Sequence, residues 1–124
     1  MNVLFLDDNP ARTKVFLTYY PHADTVDTAV DCIKAMQQKP YDVVFLDHDL
    51  GGESFVDPLR DDCGMAVVRW ITDPLKFTDP VSVYVVHSHN HRAAETMAEL
   101  LEKKGRASVI LREFKAMFPG YRGS

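Results

Sequence analysis

Residues 42–49 read DVVFLDHD: an apolar, strand-forming run from Val43 to Leu46 passes without a spacer into Asp47, His48 and Asp49. A strand with one solvated face alternates apolar and polar residues, whereas a short unbroken apolar run has both faces covered, as in a parallel sheet between two helix layers. The pattern occurs twice more. Residues 2–8, NVLFLDD, set Asp7 and Asp8 directly behind an apolar strand, and residues 81–90, VSVYVVHSHN, set His87, Ser88, His89 and Asn90 behind a β-branched one.

Between these strands the periodicity is helical. Asn9 suits an N-cap and Pro10 a first helical position, and Val15, Phe16 and Tyr19 follow at helical spacing. A weaker strand near 22–26 leads to a helix over about 27–38, with Ala29, Ile33 and Met36 as its stripe and Lys39-Pro40 as its stop. Asp62 is expected to cap a helix from Cys63 to about Thr72, in which Met65, Val68 and Trp70 are core positions, and Asp73-Pro74 ends it. A helix over 93–104 carries Ala94, Met97, Ala98 and Leu101 on one face and stops at Gly105. A fifth strand is expected over 107–111, and a short helix within 113–121.

Strands alternating with helices imply an α/β fold, a single doubly wound parallel five-stranded sheet with right-handed crossovers. One domain over residues 1–122 is expected, with Gly123-Ser124 read as an appended remnant. Residues 50–62, rich in glycine and charge, read as a long loop of the kind that serves as a lid.

A net charge of -4 gives no general attraction to nucleic acid, so DNA binding is not expected. No apolar run approaches the roughly 20 residues of a membrane span, and no signal-peptide pattern opens the chain, so a cytoplasmic protein without a membrane partner is expected. Cys32 and Cys63 lie outside any CxxC arrangement and read as buried thiols.

Ligands of such sheets bind beyond the carboxyl ends of the strands, where the three polar clusters fall. Asp7, Asp8, Asp47 and Asp49 at close range would repel one another unless a cation sat among them, and hard oxygen donors suit Mg²⁺ or Mn²⁺. The alternation of His87, His89 and His91 raises Zn²⁺ as a weaker candidate. His48 and His87 flank strand ends and offer proton transfer near neutral pH. His22 and His91 read as ordinary strand and helix-start residues. The Gly51-Gly52 turn is suited to bring backbone amides to a phosphate.

LFLDD, VVFLD and the strand-four end with Ser88 resemble a response-regulator receiver domain. That resemblance implies sheet order 2-1-3-4-5, Mg²⁺ held by Asp7 and Asp8, Asp47 as phosphate acceptor or metal ligand, and Ser88 at the phosphoryl group. Where receivers carry a strand-five lysine followed by proline, this chain has Arg112 in LREFK, with Lys115 as second choice. LDHDLGG, CGMAVVRW and VHSHN further resemble the variant called the cyclic-phosphate processing receiver-like domain. It implies a metal-dependent phosphoesterase acting on a 2′,3′-cyclic phosphate RNA end or a cyclic nucleotide. In that reading Asp47, His48, His87, Ser88 and Arg112 carry the chemistry, and His89, Asn90, Gly51 and Gly52 join Ser88 in contacting substrate. Two other readings stay open: an atypical receiver phosphorylated on Asp47, and a module that binds a cyclic nucleotide without cleaving it.

Overall fold

A computed structural model describes residues 1–50, 57, 59, 60, 62–105 and 107–121; Gly51, Gly52 and Gly123-Ser124 lie outside the described residues. Strands and helices alternate: β1 Val3–Leu6, α1 Pro10–Tyr19, β2 Asp24–Val26, α2 Ala29–Gln38, β3 Val43–Leu46, α3 Gly64–Ile71, β4 Val83–Val86, α4 His91–Lys104, β5 Ser108–Leu111 and α5 Phe114–Met117. The five strands form one parallel sheet in the order β2-β1-β3-β4-β5.

The unbroken apolar strands are buried because helices cover both faces. On one face Leu4, Leu6, Val44, Leu46, Tyr84 and Val86 pack against residues of α2, α3 and α4. On the other, Val3, Phe5, Phe45 and Val85 meet Phe16 of α1 and Phe114, Phe118 and Tyr121 of the C-terminal segment. Phe5 is the hub of this second core, stacked on Phe16 at 4.0 Å between ring centroids.

Register places the site. Leu6 pairs with Val26 and Leu46, Leu46 with Val86, and Val86 with Leu111. The ladder continues one peptide further: Asp47 N–H donates to Leu6 O at 3.1 Å, His87 N–H to Leu46 O at 3.0 Å and Arg112 N–H to Val86 O at 3.0 Å. Asp7 N–H likewise donates to Val26 O at 3.1 Å. Asp7, Asp47, His87 and Arg112 therefore stand side by side along the carboxyl edge of the sheet.

Several helix starts differ from the sequence expectation, each for a local reason. Asn90 caps α4, its Oδ1 accepting from Ala93 N–H at 3.2 Å, so the helix begins at His91. Thr28 caps α2, its Oγ1 accepting from Asp31 N–H, so that helix begins at Ala29. Asp62 does not cap α3: its carboxylate is held by the Arg60 guanidinium at 2.8 and 2.5 Å, and Cys63 takes the cap position, its thiol donating to Arg60 O at 3.1 Å rather than capping the helix. In α1 the buried residues are Arg12 and Phe16, whereas Tyr19, expected in the stripe, is 49% exposed. Gly105 ends α4 with φ 75°, the left-handed conformation glycine adopts without penalty. Trp70 of α3 is buried against Phe77, with centroids 4.4 Å apart. Cys32 and Cys63 are buried and form no disulfide. No helix among the described residues is long and apolar enough to cross a membrane.

Candidate functional site

Asp7, Asp8 and Asp47 each offer a carboxylate oxygen within 4.8 Å of the others. Asp7 and Asp47 are buried, and Asp8 is half-buried. Arg12, in the first turn of α1, reaches into the group. Its Nε donates to Asp7 Oδ2 at 2.7 Å and its Nη2 to Asp7 Oδ1 at 2.9 Å, a two-point grip. The same Nη2 lies 3.5 Å from Asp47 Oδ2. Asp7 Oδ1 also accepts from Asn9 N–H at 2.9 Å, and Asp47 Oδ1 from His48 N–H at 2.8 Å.

The electrostatics follow from this crowding. Burial, then the charge of Asp7, pushes the Asp47 carboxyl well above the usual carboxylate range, and Arg12 offsets only part of it. Burial alone would weaken the basicity of Arg12, but its bond to Asp7 and the charges of Asp7 and Asp47 outweigh that and raise it. Among the described residues, the Arg12 guanidinium is the cation seen to meet these carboxylates. The donor set fits a divalent ion such as Mg²⁺ or Mn²⁺: hard oxygens on three short side chains. The group contains no histidine and not Asp49. His87 is buried and His91 pairs with Glu113 at 2.9 Å, so the HxHxH alternation does not converge as a Zn²⁺ site would need.

His87 stands in the same row as Asp47, the position that the receiver resemblance gave to Ser88. Its side chain is fully buried, stacked on Phe5 at 5.1 Å, with Nδ1 3.7 Å from Asp7 Oδ2. Neither ring nitrogen makes a hydrogen bond. Burial holds its pKa down to about 4, against the partial opposition of Asp7. The folded protein thus prefers the neutral ring, while the unfolded chain takes up a proton near pH 6.5. Stability from this group is complete above that pH and is lost as pH falls toward 4, by about 3 kcal/mol in all. Urea unfolding at pH 7, 5.5 and 4.5 should show His87→Leu losing less stability on acidification than the parent; equal losses would refute the assignment.

Alternation along β3 and β4 sends the next residues to the other face. His48 is fully buried there, with Nδ1 2.8 Å from Asp49 Oδ1; a carboxylate only accepts, so Nδ1 carries the proton. Its Nε2 forms no well-aligned hydrogen bond, and the Cys63 thiol beside it contributes an electrostatic contact. Burial would lower the His48 pKa, but Cys63 and Asp49 outweigh it and raise it; Cys63, raised by burial, is brought down by His48. Asp49 also accepts from Asn90 Nδ2 at 3.4 Å, tying the end of β3 to the cap of α4. Ser88 Oγ accepts from Asn90 N–H at 3.1 Å. His89 is exposed.

Two openings flank the row. A groove of about 690 Å³ beside β1 is lined by Asp7, Asp8, Asp27 and Asp31 with Lys14, an acidic surround that favours cations. A recess of about 160 Å³ beside β4 is lined by Ser88, His91, Arg112 and Glu113 among others. Arg112 is exposed at the rim of that recess rather than beside Asp47. Among the described residues, the cation that reaches Asp47 is Arg12, which the sequence pattern alone does not single out. Its signal was present: Arg12 lies four residues before Phe16, on the helix face that must turn inward, one turn after an acidic pair.

The profile described as "Cyclic-phosphate processing Receiver domain" matches residues 2–103. Among solved structures, a signal receiver domain from Vibrio parahaemolyticus aligns with TM-score 0.62 at 17% identity, covering 96% of this chain and 85% of that one. A CheY-like response regulator receiver domain from Methylobacillus flagellatus aligns with TM-score 0.60 at 21% identity, covering 96% and 93%. A sensor protein from Polaromonas sp. JS666 aligns with TM-score 0.56 at 20% identity, covering 95% and 90%. At these identities the solved structures bear on the fold alone. No curated protein matches the chain.

Proposed function

Because the chain belongs to the cyclic-phosphate processing receiver family, we propose that it is a divalent-ion-dependent phosphoesterase that opens a cyclic phosphate, on a 2′,3′-cyclic RNA end or in a cyclic nucleotide. The observation that carries this reading is Asp47, set beside Asp7 and Asp8 with the Arg12 guanidinium 3.5 Å from its Oδ2. Ring opening needs a nucleophile, charge neutralisation at the phosphoryl oxygens and a proton for the leaving alkoxide. Asp7, Asp8 and Asp47 would hold the ion, whose chemistry there is neutralisation of phosphoryl charge.

The remaining roles fall to the chain. Asp47 either takes a proton from attacking water or attacks phosphorus itself, breaking one ring P–O bond to give an aspartyl phosphate still esterified to the substrate's other oxygen, which water then hydrolyses to the open phosphate monoester. Arg12 and, from the recess rim, Arg112 meet the phosphoryl oxygens, and Ser88 donates a hydrogen bond to one of them. Substrate approaches from the Ser88 and Arg112 side, since the groove beside β1 would repel a polyanion. His48 and His87 are buried, and exposed His89 is the imidazole proposed to protonate a leaving oxygen. Gly51 and Gly52 would add backbone contacts.

The test is incubation with RNA bearing a 2′,3′-cyclic phosphate, and with cyclic nucleotides, in Mg²⁺, Mn²⁺ or Zn²⁺. Turnover is expected with Mg²⁺ or Mn²⁺, and Asp47→Asn should lower it by about 100-fold or more. No turnover under any metal sinks the proposal; stoichiometric binding without product would instead favour a sequestering module. A second reading is supported by the place of Asp47 at the end of β3 in a receiver sheet: a signalling receiver phosphorylated on Asp47. Acetyl phosphate or beryllofluoride should then shift the conformation of the parent and not of Asp47→Asn. Absence of any shift removes that reading.

A further inference from the structure

The Arg12 guanidinium is not an ordinary surface charge. Its side chain is 10% exposed; among its contacts are two short bonds to Asp7 and a longer approach, 3.5 Å, to Asp47. The grip on Asp7 is the stronger, because two parallel charge-assisted bonds fix a planar fork better than one long contact. Of these two, the contact to Asp47 yields more readily. A divalent ion at the three carboxylates would compete with Arg12 for Asp47 Oδ2. A phosphoryl oxygen would compete with Asp47 for the outer N–H of Arg12 Nη2. A second, independent feature points to a ligand here: His87, fully buried with both ring nitrogens without hydrogen bonds, has Nδ1 3.7 Å from the Asp7 oxygen that Arg12 Nε holds.

We propose that Arg12 is the resident cation of the acidic site, occupying Asp47 until a phosphoryl oxyanion draws the guanidinium away, so that anion and divalent ion each promote the binding of the other. The inference rests on reading this pocket as a metal and phosphate site. It adds an order to it: free protein holds the ion weakly, and the substrate's phosphate completes the ion's donor set by freeing Asp47. Coupling of this kind is reciprocal, so the ion tightens the anion by the same factor.

The experiment reads binding, not turnover. Free Mn²⁺ is followed by electron paramagnetic resonance as the 124-residue protein is titrated, with and without inorganic phosphate, after correction for Mn²⁺–phosphate pairing measured without protein. The parent should bind Mn²⁺ about fivefold or more tightly in saturating phosphate. Arg12→Gln should bind Mn²⁺ more tightly than the parent without phosphate and gain less than about twofold from it, as expected once the competing cation is gone. Should Arg12→Gln fail to fold by circular dichroism, the double variant Asp7→Asn/Arg12→Gln serves, because neither a stranded Asp7 carboxylate nor a guanidinium at Asp47 then remains. It too should lose most of the phosphate effect. Mn²⁺ affinity in the parent that ignores phosphate, or a variant that keeps the parent's coupling, overturns the proposal. Coupling without cleavage of any cyclic phosphate would sink the proposed reaction alone; cleavage without coupling would sink this inference alone.

Discussion

A Gly64→Ala protein is expected to melt about 10 °C or more below the parent, and to lose whatever activity depends on Asp47. The added Cβ would stand 1.9 Å from Asp47 O, 2.7 Å from His48 Cα and 2.8 Å from Asp47 C. All three are backbone atoms, so no side chain can turn aside to relieve the overlap. Gly64 also donates its N–H to His48 O at 2.8 Å, which clamps the start of α3 to the end of β3. The conflict is one of space, since Gly105 is the described glycine with positive φ. Relief requires moving either α3, with Met65, Val67, Val68 and Ile71 buried in the core, or the peptide that carries Asp47. Overpacking of this severity costs at least about 3 kcal/mol. A melting temperature within about 2 °C of the parent would refute the close approach.

Arg12→Leu is expected to cost about 3–5 kcal/mol in metal-free buffer, because it strands the Asp7 carboxylate without its cation. The Asp7 side chain is 0% exposed and takes two bonds from Arg12, so water cannot replace the guanidinium. The double variant Asp7→Asn/Arg12→Leu should be less destabilised than the sum of the two single changes, with a coupling of about 1–3 kcal/mol in urea unfolding. Additive costs, or a single-variant cost below about 1 kcal/mol, would mean that the pair does not hold the site.

Much of this architecture is legible in the sequence, for a physical reason. Val3 to Leu6, Val43 to Leu46 and Val83 to Val86 are covered on both faces, and double coverage leaves an unbroken apolar run that few other environments produce. The acid cluster follows from those runs, because residues just past parallel strands share an edge. Parity was harder. His87 and Ser88 are adjacent, and a shift of one residue changes which faces Asp47's side of the sheet. Only the pairing of Val86 with Leu46 settles it for His87. The same alternation carries His48 away from Asp47 toward Cys63. An arginine in the first turn of a helix is usually solvated, so Arg12 does not stand out in the sequence; it is buried here since Asp7 supplies a carboxylate on the inward side. Asp62 has the composition of a cap, but Arg60 two residues away competes for its carboxylate. A five-residue neighbourhood does not reveal which of two good bonds forms.

The single tryptophan of the chain gives the molecule a built-in optical reporter. Trp70 sits on the helix whose first residue abuts the Asp47 peptide, and its indole is shielded against Phe77. Any event that loosens α3 from the end of β3, whether a side chain forced in at position 64 or a rearrangement around Asp47, should redden and weaken that one emission band. The state of the acidic edge can thus be followed by fluorescence in unlabelled protein.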